Sequence, residues 1–285
     1  MEMKNKKFAV FILTYGRADK VITYKVLRDH GYTGKIYLIC STDDKQLDKY
    51  KELYGDDVIV FDKNSYKGTF DIGDNSYKDN VVVFARNANI DIAKKLGLDY
   101  YLQLDDDYID FLYKIPKDGK LYGRKVIDLN RMFDTFIEFL KKSNAHSVAF
   151  AQGGDYIGGF GNDIFHSIFR KRKLMNCFFN SVKKPYKFYG RINEDVNCYI
   201  QNGKLGYLFF THPAISINQH ETQTNSGGLS EFYLDSGTYV KSFYTILFNP
   251  SAVKIRLMGN TNKRLHHSVS WKNAIPMIIS EEYKK

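Results

Sequence analysis

Three consecutive carboxylates, Asp105-Asp106-Asp107, follow directly on the apolar run Tyr100–Leu104 (YYLQL). Adjacent carboxylates repel one another unless a cation or solvent offsets their charge. Along an extended chain alternate side chains share a side, so Asp105 and Asp107 can turn toward one site. Hard oxygen ligands with open water positions suit Mg²⁺ or Mn²⁺ bridging a diphosphate. A solvated loop accounts for the same residues, and its position in the fold decides between the two. A second acidic pair, Glu194-Asp195 after Asn193, closes an otherwise basic segment. The electropositive start of a helix favours acids by itself, so this pair also marks a helix N-terminus. His220, in INQHETQTNSGG, precedes a polar, Gly-containing loop that could close over a ligand. His212, followed by Pro213, is a second candidate histidine.

The placement of positive charge is a further signal. The chain carries 42 Lys and Arg against 32 Asp and Glu, a formal net charge of +10. Between Asp163 and Glu194 there is no acid, yet Arg170, Lys171, Arg172, Lys173, Lys183, Lys184, Lys187 and Arg191 all fall there. A second acid-free stretch, Asn249 to Ser280, holds Lys254, Arg256, Lys263, Arg264 and Lys272. Like charges crowded this way face a polyanion or open solvent. Aromatic rings are interleaved: Phe169, Phe178, Phe179, Tyr186, Phe188 and Tyr189 in the first stretch, and His266, His267 and Trp271 in the second. Cations neutralise phosphates while flat rings stack on an exposed base. Arg170, Arg172, Lys183, Lys184, Arg191, Arg264, His266, His267 and Trp271 are therefore candidate contacts to DNA.

The elements that must position these residues recur as apolar run, polar loop and amphipathic stretch. Phe8–Leu13 reads as a buried strand leading into Thr14-Tyr15-Gly16-Arg17, and Asp19 can cap a helix with Val21, Tyr24 and Leu27 along one face, ending near Gly31. Lys35–Cys40 is a second strand, followed by Ser41-Thr42-Asp43-Asp44 and another helix; Val58–Phe61 is a third. Arg86 to Leu96 reads as a helix and Tyr100–Leu104 as a fourth strand. Strands alternating with helices on short loops mean βαβ units and a mostly parallel sheet. Ligands bind such sheets beyond the carboxyl ends of the strands, so the loops after Leu13, Cys40 and Leu104 are the ones to watch. Thr14 and Asp106 lie in them beside the residues already named and are candidate nucleotide-sugar contacts. Asp128 can cap a helix that turns Met132, Phe133, Phe136 and Leu140 to one face, and Ser147–Ala151 reads as a strand. Beyond it come a Gly-rich loop (153–161) and a late strand over Leu205–Phe210, while the aromatic, basic tail has no clear pattern.

Composition bounds the rest. Hydrophobic residues make up 44% and charged residues 26%, ordinary values for a globular chain able to bury a core without staples. Cys40, Cys177 and Cys198 form no C-x-x-C pair, which argues against a disulfide framework or a cysteine zinc site. No apolar stretch reaches membrane length and the N-terminus lacks a signal h-region. A soluble protein of the cytoplasm is expected, with no membrane partner.

The arrangement resembles the GT-A glycosyltransferase fold, in which a DxD motif at a strand end holds metal and nucleotide sugar. ILTYGR after the first strand, TDD after the second and ARN ahead of a helix look like the nucleotide-contacting positions of family 2-type enzymes. The resemblance implies that Tyr15, Arg17 and Asp43 line the base and ribose, that Arg86 sits near the uracil or diphosphate, that Asp105 faces the ribose, and that Asp107 holds the metal. Asn193-Glu194-Asp195 resembles the x-E-D motif of inverting enzymes, which makes Asp195 the general base with Glu194 beside it. His220 resembles their C-terminal metal-ligand histidine. The whole chain is similar to the TET-associated glycosyltransferases of phages, on FILTYGRADK, KIYLIC, DKN, FDIGDN, ARN, LDDDY and LDSGTYVKSFY. That likeness implies sugar transfer from a UDP-linked donor, with Mn²⁺ or Mg²⁺, to 5-hydroxymethylcytosine in double-stranded DNA. The organisation expected is a GT-A core over 1–230, with a nucleotide-sugar half (1–110) and an acceptor half (111–230). A C-terminal extension over 231–285 is expected to pack on the core and contact DNA.

Two other readings share the acidic motifs. A GT-A enzyme acting on a polysaccharide or protein keeps the donor residues but needs no polyanion groove. A non-catalytic DNA-binding protein keeps the basic stretches but has no use for intact DDD and NED motifs.

Overall fold

A computed structural model of the chain describes residues 7–156, 177–219, 240–258, 263–274 and 281. The first four strands are β1 (Phe8–Leu13), β2 (Lys35–Ser41), β3 (Val58–Phe61) and β4 (Tyr100–Asp105). They pair in parallel in the order β3-β2-β1-β4. Continuing outward come β8 (Phe178–Ser181), β7 (Ser147–Gln152), β9 (Phe209–Gln219), β5 (Tyr108–Lys117) and β6 (Lys120–Lys125), which complete one nine-stranded sheet. Only β8 and β5 run against the common direction, so the sheet is mostly parallel, as expected.

Both faces are covered, which is why β1 is apolar at every position. Phe8, Val10 and Ile12 pack with Leu27 of α1 (Ile22–Asp29), Tyr50 of α2 (Leu47–Tyr54) and Met132, Phe133, Phe136 and Leu140 of α4 (Leu129–Ser143). Ala9, Phe11 and Leu13 face the other way, onto α3 (Val83–Lys95) and α5 (Glu194–Lys204). Period two in the strand thus serves two cores. Asp128 caps α4 as expected, its carboxylate accepting from the Arg131 N–H.

Several expectations are corrected. Asp19 lies inside a single 3₁₀ turn, Ala18–Lys20, and α1 starts at Ile22 without a side-chain cap. Leu205 ends α5, and the late strand runs over Phe209–Gln219. Phe178, Phe179 and Phe188 are core residues at 0%, 1% and 2% exposure, so they are not rings waiting for a base. The described tail forms α6 (Lys241–Phe248), the hairpin β10 (Val253–Met258) with β11 (Arg264–Val269), and the short helix α7 (Trp271–Ala274). Ala252, Val253 and Ala274 bury against Val196 and Ile200 of α5. The three cysteines are buried and free. Among the described residues no helix is long and apolar enough to cross a membrane.

Candidate active site at the carboxyl ends of the parallel strands

Parallel register sets Leu13 of β1 beside Ile39 of β2 and Asp105 of β4, so the loops that follow all open at one end of the sheet. The loop after β1 is held by hydrogen bonds that its own sequence cannot supply. Gly16, at φ +67, turns its N–H onto the buried Asp44 carboxylate at 2.7 Å. The Ala18 N–H donates to Gln46 Oε1 at 2.9 Å. Tyr50 reaches in from α2, its hydroxyl accepting from the Arg17 N–H at 2.8 Å. Because the Thr14 hydroxyl donates to Asp106 Oδ2 at 2.7 Å, the 2.7 Å contact between Tyr50 and Thr14 has Tyr50 as donor. Arg17 Nη1 closes the circuit on Asp106 Oδ1 at 3.0 Å. Burial raises the Asp106 carboxyl above its ordinary range, against the pull of Arg17 and Thr14. Arg17 Nε is buried with no acceptor among the described residues.

The three acids therefore divide. Asp106, 3% exposed, is the structural one that staples the first loop to β4. Asp105 accepts from Arg86 Nη2 at 3.0 Å and keeps 23% of its side-chain surface open. Its backbone carbonyl accepts from Thr23, whose hydroxyl in turn accepts from the Tyr108 N–H, fixing the turn from both sides. Burial pushes the Asp105 carboxyl up to about 6; Arg86 opposes the rise and the neighbouring charge of Asp107 adds to it.

Arg86 is the centre of the arrangement. It is one of the largest fully buried side chains, and its Nε donates to Glu194 Oε1 at 2.8 Å. One guanidinium thus ties the end of β4 to the start of α5, across 108 residues of sequence from Arg86 to Glu194. Burial works against its charge, but Asp105 and Glu194 hold its pKa above the ordinary value. Burial raises Glu194, with Arg86 opposing. Arg86, expected near the uracil or diphosphate, binds two carboxylates of the protein at the end of β4 and the start of α5, with the Phe178 and Phe188 rings against it. Asp195 sits beside Glu194 in the first turn of α5, 9% exposed. Asn193 enters that turn at φ 56 and its amide donates to the Lys241 carbonyl at 2.6 Å and to Thr245 Oγ1 at 3.2 Å, both on α6.

Asp43 stands beyond β2, held by Ser41 and by an ion pair with Lys63, whose amine also contacts the Tyr15 ring at 5.8 Å. Burial works against ionisation there, but Lys63 and Ser41 keep Asp43 below the usual carboxylate range. Tyr15, Arg17, Asp43 and Asp105–Asp107 are thus brought to the same end of the sheet. Sequence reasoning missed Asp44, Gln46, Tyr50, Thr23 and Lys63; of these only Asp44 lay in a loop already singled out.

The candidate DNA contacts separate. Lys183 and Arg264 are exposed and His266 is half-buried. The Lys184 amine donates to the Asn144 carbonyl at 2.7 Å. Arg191 is corrected: its side chain is 1% exposed and its Nε donates to both oxygens of Asp74, at 2.9 and 3.0 Å. His267 is also buried, at 9%. Trp271 opens α7. His220, Arg170, Arg172 and residues 157–161 of the Gly-rich loop lie outside the described residues.

Among the described residues no group of three or more His, Cys, Asp or Glu side chains is set to hold a metal ion. Mg²⁺ commonly takes only one or two carboxylates and draws its other ligands from substrate phosphates and water. Asp105 and Asp107, raising each other's charge cost at the strand end, fit a cation that arrives with a diphosphate.

A doubly wound sheet with order 3-2-1-4 at its core, and an acidic turn where β4 ends, defines a Rossmann-like α/β protein of the GT-A kind. The chain belongs to the TET-Associated Glycosyltransferase family, whose model matches residues 8–228. No curated protein matches it in sequence. Among solved structures it is similar to S. aureus TarS 1-349, at 12% identity and TM-score 0.40, over 84% of this chain and 65% of that one. A longer S. aureus TarS matches at 12% and 0.43, over 80% and 38%. A protein described as a nucleotide-diphospho-sugar transferase from Desulfovibrio desulfuricans G20 matches at 10% and 0.37, over 86% and 97%. The chain spans less than two thirds of the length of either TarS structure. At these TM-scores the likenesses carry no weight beside the family match.

Proposed function

We propose that the chain transfers a sugar from a UDP-linked donor to the hydroxyl of 5-hydroxymethylcytosine in double-stranded DNA, with inversion at the anomeric carbon. The observation that carries this reading is the Arg86 bridge, which brings the acidic turn after β4 and the Glu194-Asp195 turn of α5 into one site. Donor and acceptor chemistry need those two groups within one substrate's reach. The DNA acceptor is supported by the family's association with TET dioxygenases, which leave a hydroxyl on the 5-methyl carbon, and by the net charge of +10.

In this reading Tyr15, Arg17 and Asp43 take the nucleoside end of the donor, and the loops after β1 and β4 take its diphosphate. The acceptor oxygen attacks the anomeric carbon as the bond to the diphosphate oxygen breaks. Asp195 accepts the hydroxyl proton, and the nucleoside diphosphate leaves. An alcohol is a poor nucleophile, so a fixed carboxylate base contributes roughly 10²–10⁴-fold. Glu194 acts through Arg86, holding the α5 turn against β4. When bound, Mn²⁺ or Mg²⁺ held by Asp107 with Asp105 offsets the charge that develops on the leaving diphosphate.

The test is mass spectrometry of nucleosides from hydroxymethylated DNA and plain DNA, each treated with the protein, Mn²⁺ and a panel of UDP-sugars. A sugar adduct on hydroxymethylcytosine alone is expected. Transfer to neither DNA, with a polysaccharide or protein modified instead, overturns the acceptor assignment.

A further inference from the structure

The hairpin β5–β6 carries a surface that the donor site does not use. Residues 113–125 read YKIPKDGKLYGRK, five cations and one acid. The antiparallel register sets Tyr113 opposite Arg124, Ile115 opposite Tyr122 and Lys117 opposite Lys120. Cross-strand partners share a face, and so do alternate residues along a strand, so these six form one face of the ribbon. All are exposed, Tyr113 at 37%, Ile115 at 41% and Tyr122 at 48%. None of Lys114, Lys117, Lys120, Arg124 and Lys125 meets a carboxylate among the described residues.

Two features of this face call for a partner. Like charges directly opposite on a ribbon destabilise it, as Lys117 and Lys120 do here. Among the described residues strand β6 is also an edge of the sheet, and lysines on an edge guard against pairing with another chain. Edge protection explains the cations; it does not explain two tyrosines and an isoleucine left open between them.

The root of the ribbon is the candidate site itself. Only Asp106 and Asp107 separate β4 from β5, and Tyr108 pairs with Gln219 at the end of β9. Ten residues at ~3.4 Å each carry the tip about 30 Å from the acidic turn. That is roughly nine steps along a DNA strand at ~3.4 Å per phosphate. The major groove, about 12 Å wide, admits a two-stranded ribbon, and the 5-position of cytosine opens into that groove.

We propose that β5–β6 is the arm that holds the acceptor duplex. Lys117, Lys120 and Arg124 neutralise its phosphates, and the hydroxyls of Tyr113 and Tyr122 donate to phosphate oxygens, while the base at the ribbon's root is presented to the acidic turn. This assignment rests on the DNA-acceptor reading above.

The test compares three full-length variants by fluorescence anisotropy with a 20-base-pair hydroxymethylated duplex between about 50 and 200 mM salt. The first is Lys117→Gln/Lys120→Gln/Arg124→Gln. The second keeps the charge: Lys117→Arg/Lys120→Arg/Arg124→Lys. The third removes equal charge elsewhere: Lys25→Gln/Lys95→Gln/Lys142→Gln. UDP binding checks that each is folded. The first variant should weaken binding on the order of 10²–10³-fold at about 0.1 M salt and flatten the log Kd against log salt slope by about three. The second and third should keep the wild-type slope. An unchanged slope in the first variant, or an equal loss in the third, overturns the arm. So does a wild-type dimer that becomes monomeric only in the first variant, which would make the ribbon an interface between copies of the chain. Sugar transfer to DNA by wild type alongside an unchanged slope sinks the arm and leaves the proposed function standing. Ribbon-dependent binding without transfer does the reverse.

Discussion

Arg86 lies between Asp105 and Glu194; Arg86 and Glu194 are buried, and Asp105 is partly open. A guanidinium in that position is what lets two carboxylates approach each other inside a protein. Removing it leaves both charges uncompensated, so Arg86→Met should cost about 3–5 kcal/mol of stability, read as a fall in the denaturant midpoint. A smaller loss would mean that water reaches the pair. Asp195→Asn preserves shape and removes the proposed base; turnover should drop roughly 10²–10⁴-fold, with donor affinity retained. If turnover holds, the proton goes elsewhere. The residues legible in the sequence are those whose meaning is local. Asp105–Asp107 is readable because a strand must end where three acids begin, and Glu194-Asp195 because a helix start favours acids. What Arg86 does depends on Glu194, 108 positions away, and no local pattern encodes that meeting. Arg191 misleads for the same reason: it sits in an acid-free stretch, but its partner Asp74 lies 117 residues earlier.

At the scale of elements, that Arg191–Asp74 pair pins the loop ahead of α3. Arg191 also donates to the carbonyls of Ser76 and Lys78, and Tyr244 of α6 donates to the same Asp74 carboxylate. Burial resists ionisation of Asp74, but Arg191 and Tyr244 hold its pKa below the ordinary value. A carboxyl depressed in the folded state binds its proton more readily when unfolded. Its contribution is therefore full above the unfolded pKa of about 3.9 and is lost as pH falls through the lower folded value. Asp74→Asn should flatten the fall of the melting temperature between about pH 5 and 3; an unaltered acid limb would place the sensitive group elsewhere. The βαβ half of the fold is readable because each strand is a short apolar run between turn signals. The β5–β6 hairpin goes unread although its signals are present. Ile109, Phe111, Tyr113 and Ile115 alternate, and Asp118-Gly119 is a hairpin turn, both residues at positive φ. Three adjacent acids mask the strand that starts directly after them. The aromatics of the 178–189 stretch mislead because a ring flanked by lysines looks the same in sequence whether it faces water or core.

Across the whole molecule, one end of the sheet collects the loops after β1, β2 and β4, the first turn of α5 and the root of the ribbon. The tail supports that end from behind, since Asn193, which opens α5, is held by the Lys241 carbonyl and Thr245 of α6. On the proposed reading, the parallel strands β1, β2 and β4 build the donor side, and the β5–β6 ribbon and α5 build the acceptor side. The central claim is that a donor's diphosphate and its divalent cation sit at the turn where β4 ends. A crystal grown with UDP and Mn²⁺, with anomalous scattering recorded at the manganese edge, tests it directly. A manganese peak bridging the Asp107 carboxylate and the UDP phosphates is expected; a peak away from that turn, with UDP bound elsewhere, would contradict it.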